Sequence, residues 1–265
     1  MHCWRWLDTR LSVTTKNTNR LDMQLVAAAL APTRQKAQAL IRAGQVRVND
    51  VLVDKPGTRV PKDAKIHVKG SLAYVSRGGL KLEAGLKAFE INPTGRIAAD
   101  LGASTGGFTD CLLQNGASQV FAVDVGYGQL AWSLRQDDRV IVMERTNARH
   151  LESLPVTPSL VVADLSFISC TKILPAVRRI STPDAECLFL LKPQFEAGRD
   201  KVSKGGVIRD EQVRTDTIEA VLALCETAGF SVLGHVPSPI PGRKKGNIEE
   251  LVHMRIDTPP SGSSL

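Results

Sequence analysis

The sequence has no apolar run long enough to cross a membrane. A membrane helix needs about 18 consecutive apolar residues, and no stretch among the 265 residues approaches that length. The first twenty residues also lack the unbroken apolar core of a secretory signal. We therefore expect no membrane partner and no export.

Cysteine is scarce and scattered. The five cysteines are odd in number and form no Cys-x-x-Cys pair: Cys3, Cys111, Cys170, Cys187 and Cys225. This pattern excludes a zinc clamp or a redox disulfide of the usual spacing. We expect no metal site and a chain of the reducing cytoplasm.

Positive charge is concentrated at the beginning of the chain. Residues 1–70 contain 13 Lys or Arg against 5 Asp or Glu, whereas residues 71–265 contain 21 against 22. The first part thus carries a net +8 and the remainder −1. A basic segment attached to a nearly neutral body is typical of a module that binds nucleic acid.

The length allows one full α/β domain and a small accessory module. We predict five segments from composition and pattern. They are a flexible leader over 1–19, an RNA-binding domain over 20–70, a linker over 71–79, a catalytic domain over 80–257 and a flexible tail over 258–265.

The basic segment has the pattern of two short helices followed by a hairpin. Leu21 and Leu25 recur at helical spacing, Thr33 fits the N-cap of a second helix, and Gly44 fits its end. The alternating VRVNDVLV then predicts strand, turn and strand, and AKIHVKG predicts one more strand. Cations off the apolar face of the second helix either contact RNA phosphates or face solvent. The net +6 of residues 20–70 favours RNA.

This segment resembles the S4-type RNA-binding domain. The resemblance lies in the helix-helix-hairpin order and in the phrase TRQKAQALIRAGQVRVNDVLV, residues 33–53. It implies that structured RNA is bound by the basic helix face. The implied contact residues are Arg34, Lys36, Arg42 and Arg47.

The remainder alternates short apolar runs with amphipathic ones. IAADLG, VFAVDVG, VIVMER, SLVVADLS and ECLFLLK read as buried strands, with helical patterns between them, including a helix near 129–135 and a long one over 212–228. Such alternation predicts a parallel sheet covered on both faces. The last two strand-like runs, SVLGHVP and LVHMRI, have no helix between them and suggest a hairpin that adds one antiparallel strand. We read residues 196–210 as a mobile loop over the site.

A glycine-rich turn follows the first strand of this sheet, in the sequence DLGASTGGFTD, residues 100–110. Phe108 replaces the lysine of a phosphate-binding P-loop, and Ser104 replaces a glycine of the dinucleotide fingerprint. Asp124, at the end of the next strand, suits the ribose hydroxyls of an adenosine-containing ligand. We therefore expect S-adenosylmethionine as cofactor. The candidate binding residues are Asp100, Gly102, Ser104, Gly106, Gly107, Phe108, Asp124 and Asn147.

Ionisable residues sit where the later strands end. Asp164 and Lys192 follow two apolar runs, Glu249 begins the last one, and Lys81 comes from the helix before the sheet. Transfer of a methyl group to a ribose 2′-hydroxyl needs alignment and a base. We assign Lys192 as the base, Lys81 as electrostatic tuner and substrate positioner, and the two carboxylates as residues that orient the lysines.

The whole chain resembles the TlyA family, also called hemolysin A, whose catalytic domain is similar to FtsJ-type ribose 2′-O-methyltransferases. The matching phrases SRGGLKL, DLGASTGGFTD, AVDVGYGQL, ADLSFIS, LLKPQFE and GNIEEL, with the RNA-binding segment, span residues 20–256. The family's Lys-Asp-Lys-Glu tetrad falls on Lys81, Asp164, Lys192 and Glu249.

The resemblance implies the fold and the activity together. The implied fold is α/β, a Rossmann-like S-adenosylmethionine methyltransferase fold with a mostly parallel sheet and a small N-terminal α+β module. The implied reaction is methylation of a cytidine ribose in large-subunit ribosomal RNA and, in some members, in small-subunit RNA.

Other functions stay open at this point. They are a noncatalytic RNA-binding factor for ribosome assembly, a small-molecule methyltransferase and, with the least physical support, a membrane-active hemolysin. The oligomeric state is left open.

Overall fold

A computed structural model describes residues 17–28, 30–69, 73–198, 201–242 and 247–258. Most of the predicted leader, most of the tail and the first part of the predicted linker lie outside these ranges. The chain divides into two compact units, Met1–Ser71 and Leu72–Leu265. Each unit has its own hydrophobic core.

Among its described residues, the first unit contains two short helices and five short strands. They are β1 (Thr18–Arg20), α1 (Leu21–Ala27), α2 (Arg34–Arg42), β2 (Val46–Val48), β3 (Val51–Leu52), β4 (Arg59–Pro61) and β5 (Ile66–Val68). The Thr33 side chain caps α2 by accepting a hydrogen bond from the Lys36 backbone N–H at 3.2 Å, as its sequence position predicts. The predicted hairpin is confirmed: Asn49 and Asp50, both at positive φ, connect β2 to β3.

One strand pair of this unit is not evident from the sequence. β1 pairs antiparallel with β4, so residues 18 and 19 of the predicted leader belong to a strand. Each strand is only three residues long, too short to show a period of two, and β4 ends in Pro61.

The second unit is built on a seven-stranded sheet. Its strands are β6 (Ile97–Leu101), β7 (Gln119–Val123), β8 (Val140–Met143), β9 (Leu160–Ala163), β10 (Glu186–Leu191), β11 (Phe230–Pro237) and β12 (Glu250–Ile256). Its helices are α3 (Arg77–Ala88), α4 (Gly107–Gln114), α5 (Trp132–Arg135), α6 (Leu174–Ile180), α7 (Pro193–Glu196) and α8 (Glu211–Thr227).

The strand order is β11-β12-β10-β9-β6-β7-β8, and all pairings are parallel except those of β12. β12 runs antiparallel to both β10 and β11, which confirms the predicted fold class and the single reversed strand. Two apolar clusters pack on the sheet, so β9 and most of β10 are buried on both faces. Within the described ranges, no helix is long and apolar enough to cross a membrane.

Two helices differ in extent from their predicted ranges. α3 begins at Arg77, inside the predicted linker, because the Ser76 hydroxyl accepts a hydrogen bond from the Gly78 N–H and caps the helix. α5 covers only Trp132–Arg135 of the helix expected near 129–135. Both differences concern helix ends, whose exact residues a periodic pattern does not define.

Candidate active site

The four predicted catalytic residues meet at one edge of the sheet. Asp164 follows β9 directly, and Lys192 follows its parallel neighbour β10. Glu249 immediately precedes β12, whose first residue Glu250 lies opposite Leu191 at the end of β10. Because β12 is antiparallel, its beginning lies where the parallel strands end. Lys81 is contributed by α3.

These four side chains form two ion pairs. Lys81 Nζ pairs with Glu249 Oε2, and Lys192 Nζ lies 2.5 Å from Asp164 Oδ1. Lys192 also donates a hydrogen bond to the Ser166 hydroxyl at 2.9 Å. Its contact with Asp164 is an ion pair whose angles do not meet those of a hydrogen bond. The lysine side chains are only 11% and 9% exposed. Buried ammonium groups need such partners, since desolvation of an unpaired charge is costly.

Both pairs line a cleft of about 630 Å³. The opposite part of its wall comes from the glycine-rich turn after β6, including Gly102, Ser104 and Gly107. Further lining residues come from the start of α3, from the segment after β9 and from the segment before β12. The cleft therefore brings the two lysine–carboxylate pairs and the glycine turn together.

Steric limits explain the glycines of this turn. Gly102 has φ +90°, and a Cβ there would lie 2.7 Å from the Asp164 backbone oxygen. Gly106, at φ +93°, is the N-cap of α4, and a Cβ there would lie 2.2 Å from Leu134 Cδ1. Side chains at both positions would strain the backbone, and one at Gly102 would also displace Asp164 in the wall of the cleft.

The predicted cofactor residues are not all at the cleft surface. Gly102, Ser104, Gly107 and Phe108 line it, while Gly106 shapes the turn. The remaining predicted residues, Asp100, Asp124 and Asn147, are not part of its lining.

Asp124 and Asn147 have local hydrogen bonds of their own. Asp124, after β7, accepts from the Ser104 and Gly126 N–H groups at 2.8 and 2.6 Å, which ties the glycine turn to the neighbouring strand end. Asn147 is exposed and caps a short 3₁₀ helix by accepting from the Arg149 N–H. Asp124 therefore stands beside the cleft turn, whereas Asn147 has a capping contact only.

Asp100 is fully buried beneath the turn. Its Oδ2 accepts from the Thr109 N–H at 2.9 Å and from the Thr109 hydroxyl at 2.7 Å. Its Oδ1 has no donor among the residues that the structure describes. Burial raises the pKa of Asp100 to about 7, and the hydrogen bonds from Thr109 oppose that rise.

This raised pKa predicts a pH dependence of stability. An unfolded aspartate ionises near pH 3.9, so between about pH 4 and 7 only the folded state keeps the proton. The free energy of unfolding should therefore fall as pH rises through this window, by up to about 1.4 kcal/mol per pH unit from this one group. Asp100→Asn, which preserves an acceptor for Thr109, should remove that part of the slope. Urea unfolding of both proteins from pH 4.5 to 7.5 checks this, and parallel pH profiles would contradict it.

Several cleft residues were not singled out from the sequence. Ser166 binds Lys192, and Phe167, Gln194 and Phe195 line the cleft beside it. Phe167 is 90% exposed at φ +67°, with its ring centroid 5.1 Å from that of Phe195. The sequence signal that could have identified Phe167 as a cleft residue is a large aromatic shortly after a strand end, in the phrase ADLSFIS.

The predicted loop over 196–210 is partly anchored at the cleft. The buried Asn247 side chain donates to the Gly206 oxygen at 2.8 Å and accepts from the Ile208 N–H at 3.3 Å. Gly206 and Asn247 both line the cleft. This part of the loop thus lies at the cleft, as predicted, while residues 199 and 200 lie outside the described ranges.

The sheet order, with its reversed strand, and a cleft at the carboxyl ends of the parallel strands define a Rossmann-like methyltransferase. The chain belongs to the FtsJ-like methyltransferase family, whose model matches residues 74–256. The S4 domain model matches residues 19–66. The resemblances to the S4-type RNA-binding domain and to the TlyA family are both confirmed.

Named relatives are similar over most of their length. A Bacillus subtilis protein described as "Putative rRNA methyltransferase YqxC" is 49% identical over 91% of this chain and 86% of its own. The "16S/23S rRNA (cytidine-2'-O)-methyltransferase TlyA" of Mycobacterium tuberculosis is 47% identical over 90% of each chain. A solved structure described as "Putative hemolysin from Streptococcus thermophilus" is 43% identical, covers 92% of this chain and 90% of its own, and superposes with a TM-score of 0.69.

Proposed function

We propose that this chain is an S-adenosylmethionine-dependent ribose 2′-O-methyltransferase. Its substrate is a cytidine of large-subunit ribosomal RNA, with a small-subunit cytidine as a second target. The observation that carries the proposal is the meeting of two buried lysine–carboxylate pairs with a glycine turn in one cleft. The similarity to the named rRNA methyltransferase supports the choice of substrate.

The glycine turn fits an adenosyl cofactor. It lines the cleft at Gly102, Ser104 and Gly107, and Asp124 beside it offers carboxylate oxygens for ribose hydroxyls. Asp100, buried below the same turn, holds the first turn of α4 in place through Thr109. When bound there, S-adenosylmethionine supplies the electrophilic methyl group.

The protein's own task is to align and deprotonate the ribose hydroxyl. Once Lys192 has released its proton to solvent, its amine can take the 2′-proton, and the ammonium that this transfer restores is again paired with the Asp164 carboxylate. Ser166 fixes the direction of the Lys192 side chain. Lys81, held by Glu249, adds a second positive charge that favours a developing alkoxide.

The first unit supplies RNA affinity. Arg34, Lys36, Arg42 and Arg47 are all exposed, and the S4 match covers every one of them. Their charge attracts the phosphate backbone, which positions the substrate without reading its sequence. In the second unit, the exposed Phe167 beside Phe195 offers an aromatic face on which an unstacked base can lie.

Methyl transfer to purified ribosomal subunits tests the proposal. The full chain is incubated with tritiated S-adenosylmethionine and with large or small subunits that lack the modification, and the RNA is then digested to nucleosides. We expect the label in 2′-O-methylcytidine, at one position of each substrate subunit. Label in a base, or subunit binding without transfer, would refute the proposed activity, the latter in favour of a noncatalytic assembly factor.

A further inference from the structure

Asp22, in the first turn of α1, is a buried charge outside the catalytic cleft. Its side chain has no exposed surface. Four donor groups compensate for the lost water: Arg20 Nε and Nη2, Arg34 Nε and Gln38 Nε2, at 2.9 to 3.0 Å. These hydrogen bonds, foremost those from Arg20, hold the pKa of Asp22 well below its usual range.

The donors come from two elements of the first unit, β1 and α2, while the acceptor Asp22 lies on α1. Arg20 ends β1, whereas Arg34 and Gln38 lie on consecutive turns of α2. The Asp22 carboxylate on α1 therefore connects this helix to the end of β1 and to α2. Both arginine side chains stay accessible, 41% exposed at Arg20 and 56% at Arg34.

The geometry at Arg34 leaves its outer end available. Only Nε is bonded to Asp22, and the terminal Nη groups have no protein acceptor among the described residues. An arginine that is bonded through Nε alone keeps the outward N–H groups of both terminal nitrogens available. This fork matches the oxygens of a phosphate.

We propose that Asp22 is a positioning residue for RNA binding, which holds the guanidinium groups of Arg20 and Arg34 in place for backbone phosphates. The inference rests on the proposed action on RNA and adds a residue and a mechanism to it. Holding the side chains beforehand reduces the conformational entropy that is lost on binding. Arg20 becomes an RNA contact beside Arg34.

The sign of the effect distinguishes positioning from simple electrostatics. Residues 20–70 carry +6, so loss of the Asp22 charge raises the net charge of the module to +7. Long-range attraction alone then predicts tighter RNA binding. Positioning predicts weaker binding, because both arginines lose the partner that orders them.

Filter binding of the full chain to unmodified large subunits provides the test. Asp22→Asn should weaken binding by about tenfold, the cost of ordering two arginine side chains anew. Asp63→Asn is the matched control, since it removes the same charge from an exposed position of the same unit. It should leave the affinity unchanged or slightly higher. Equal or tighter binding by Asp22→Asn would overturn the inference.

A second variant guards against a folding defect in Asp22→Asn. Arg34 is exposed, so Arg34→Lys should fold while losing the Nε–H bond to Asp22, and we expect several-fold weaker binding at unchanged charge. Arg42→Lys, on the same helix, is the control and should weaken RNA binding less than Arg34→Lys does.

In the Asp22→Asn background, Arg34→Lys should weaken binding only slightly further, because the contact that it removes is already lost. Equal losses in both backgrounds would refute the coupling. Wild-type protein that fails to bind subunits would instead refute the proposed function.

Discussion

Lys192→Ala should lower the methyl-transfer rate by about 10²–10⁴-fold, the range for loss of a general base. Lys192 sits at the end of β10, nearly buried in the cleft and paired with Asp164. Alanine removes the amine that accepts the 2′-proton but leaves the glycine turn intact. The affinity for S-adenosylmethionine, measured by calorimetry, should therefore change little. Single-turnover transfer to unmodified subunits gives the rate.

Two further variants make this result specific. Lys192→Arg keeps a positive charge beside Asp164, yet a guanidinium does not lose its proton in proteins, so it should be nearly as inactive as alanine. Lys87→Ala removes an exposed lysine from the end of α3 and should be fully active. An active Lys192→Arg would show that the residue acts through its charge and not as the base.

Glu249→Ala should be the most destabilising single change at the site. Glu249 is 4% exposed and Lys81 11%, so the variant leaves a buried ammonium without its carboxylate. Removal of one member of such a pair costs about 3–5 kcal/mol. Urea unfolding of the full chain at neutral pH measures the loss, and transfer activity should fall with it.

The double variant Lys81→Met with Glu249→Leu separates stability from chemistry. Apolar side chains of similar size can replace a buried ion pair at little cost, so its free energy of unfolding should return to within about 1 kcal/mol of wild type. Its activity should stay as low as that of Glu249→Ala. Recovery of activity with stability would mean that the Lys81–Glu249 pair only supports the fold.

The main features of the second unit were predictable because its central strands are buried on both faces. Runs such as LVVA and ECLFLL are continuous in the sequence for that reason. The absence of a helix between SVLGHVP and LVHMRI also revealed the reversed strand correctly. The places of Asp164, Lys192 and Glu249 followed from these strand ends.

What sequence analysis missed depends on contacts between distant segments. The β1–β4 pair joins residues about forty positions apart through strands too short to show a pattern. Ser76 appeared to belong to a linker because its capping bond leaves no periodic signal. Four donors converge on Asp22 only after α1 and α2 pack together, so no spacing in the sequence announces the cluster.

The position of β12 affects how the protein matures during translation. Glu249 reaches the cleft because β12, the last strand among the described residues, inserts between β10 and β11. Until that strand has left the ribosome, β10 has an open edge and Lys81 lacks its carboxylate. The first unit, with a core of its own, is complete some 180 residues earlier. A nascent or prematurely terminated chain would thus be able to hold RNA before it could modify it.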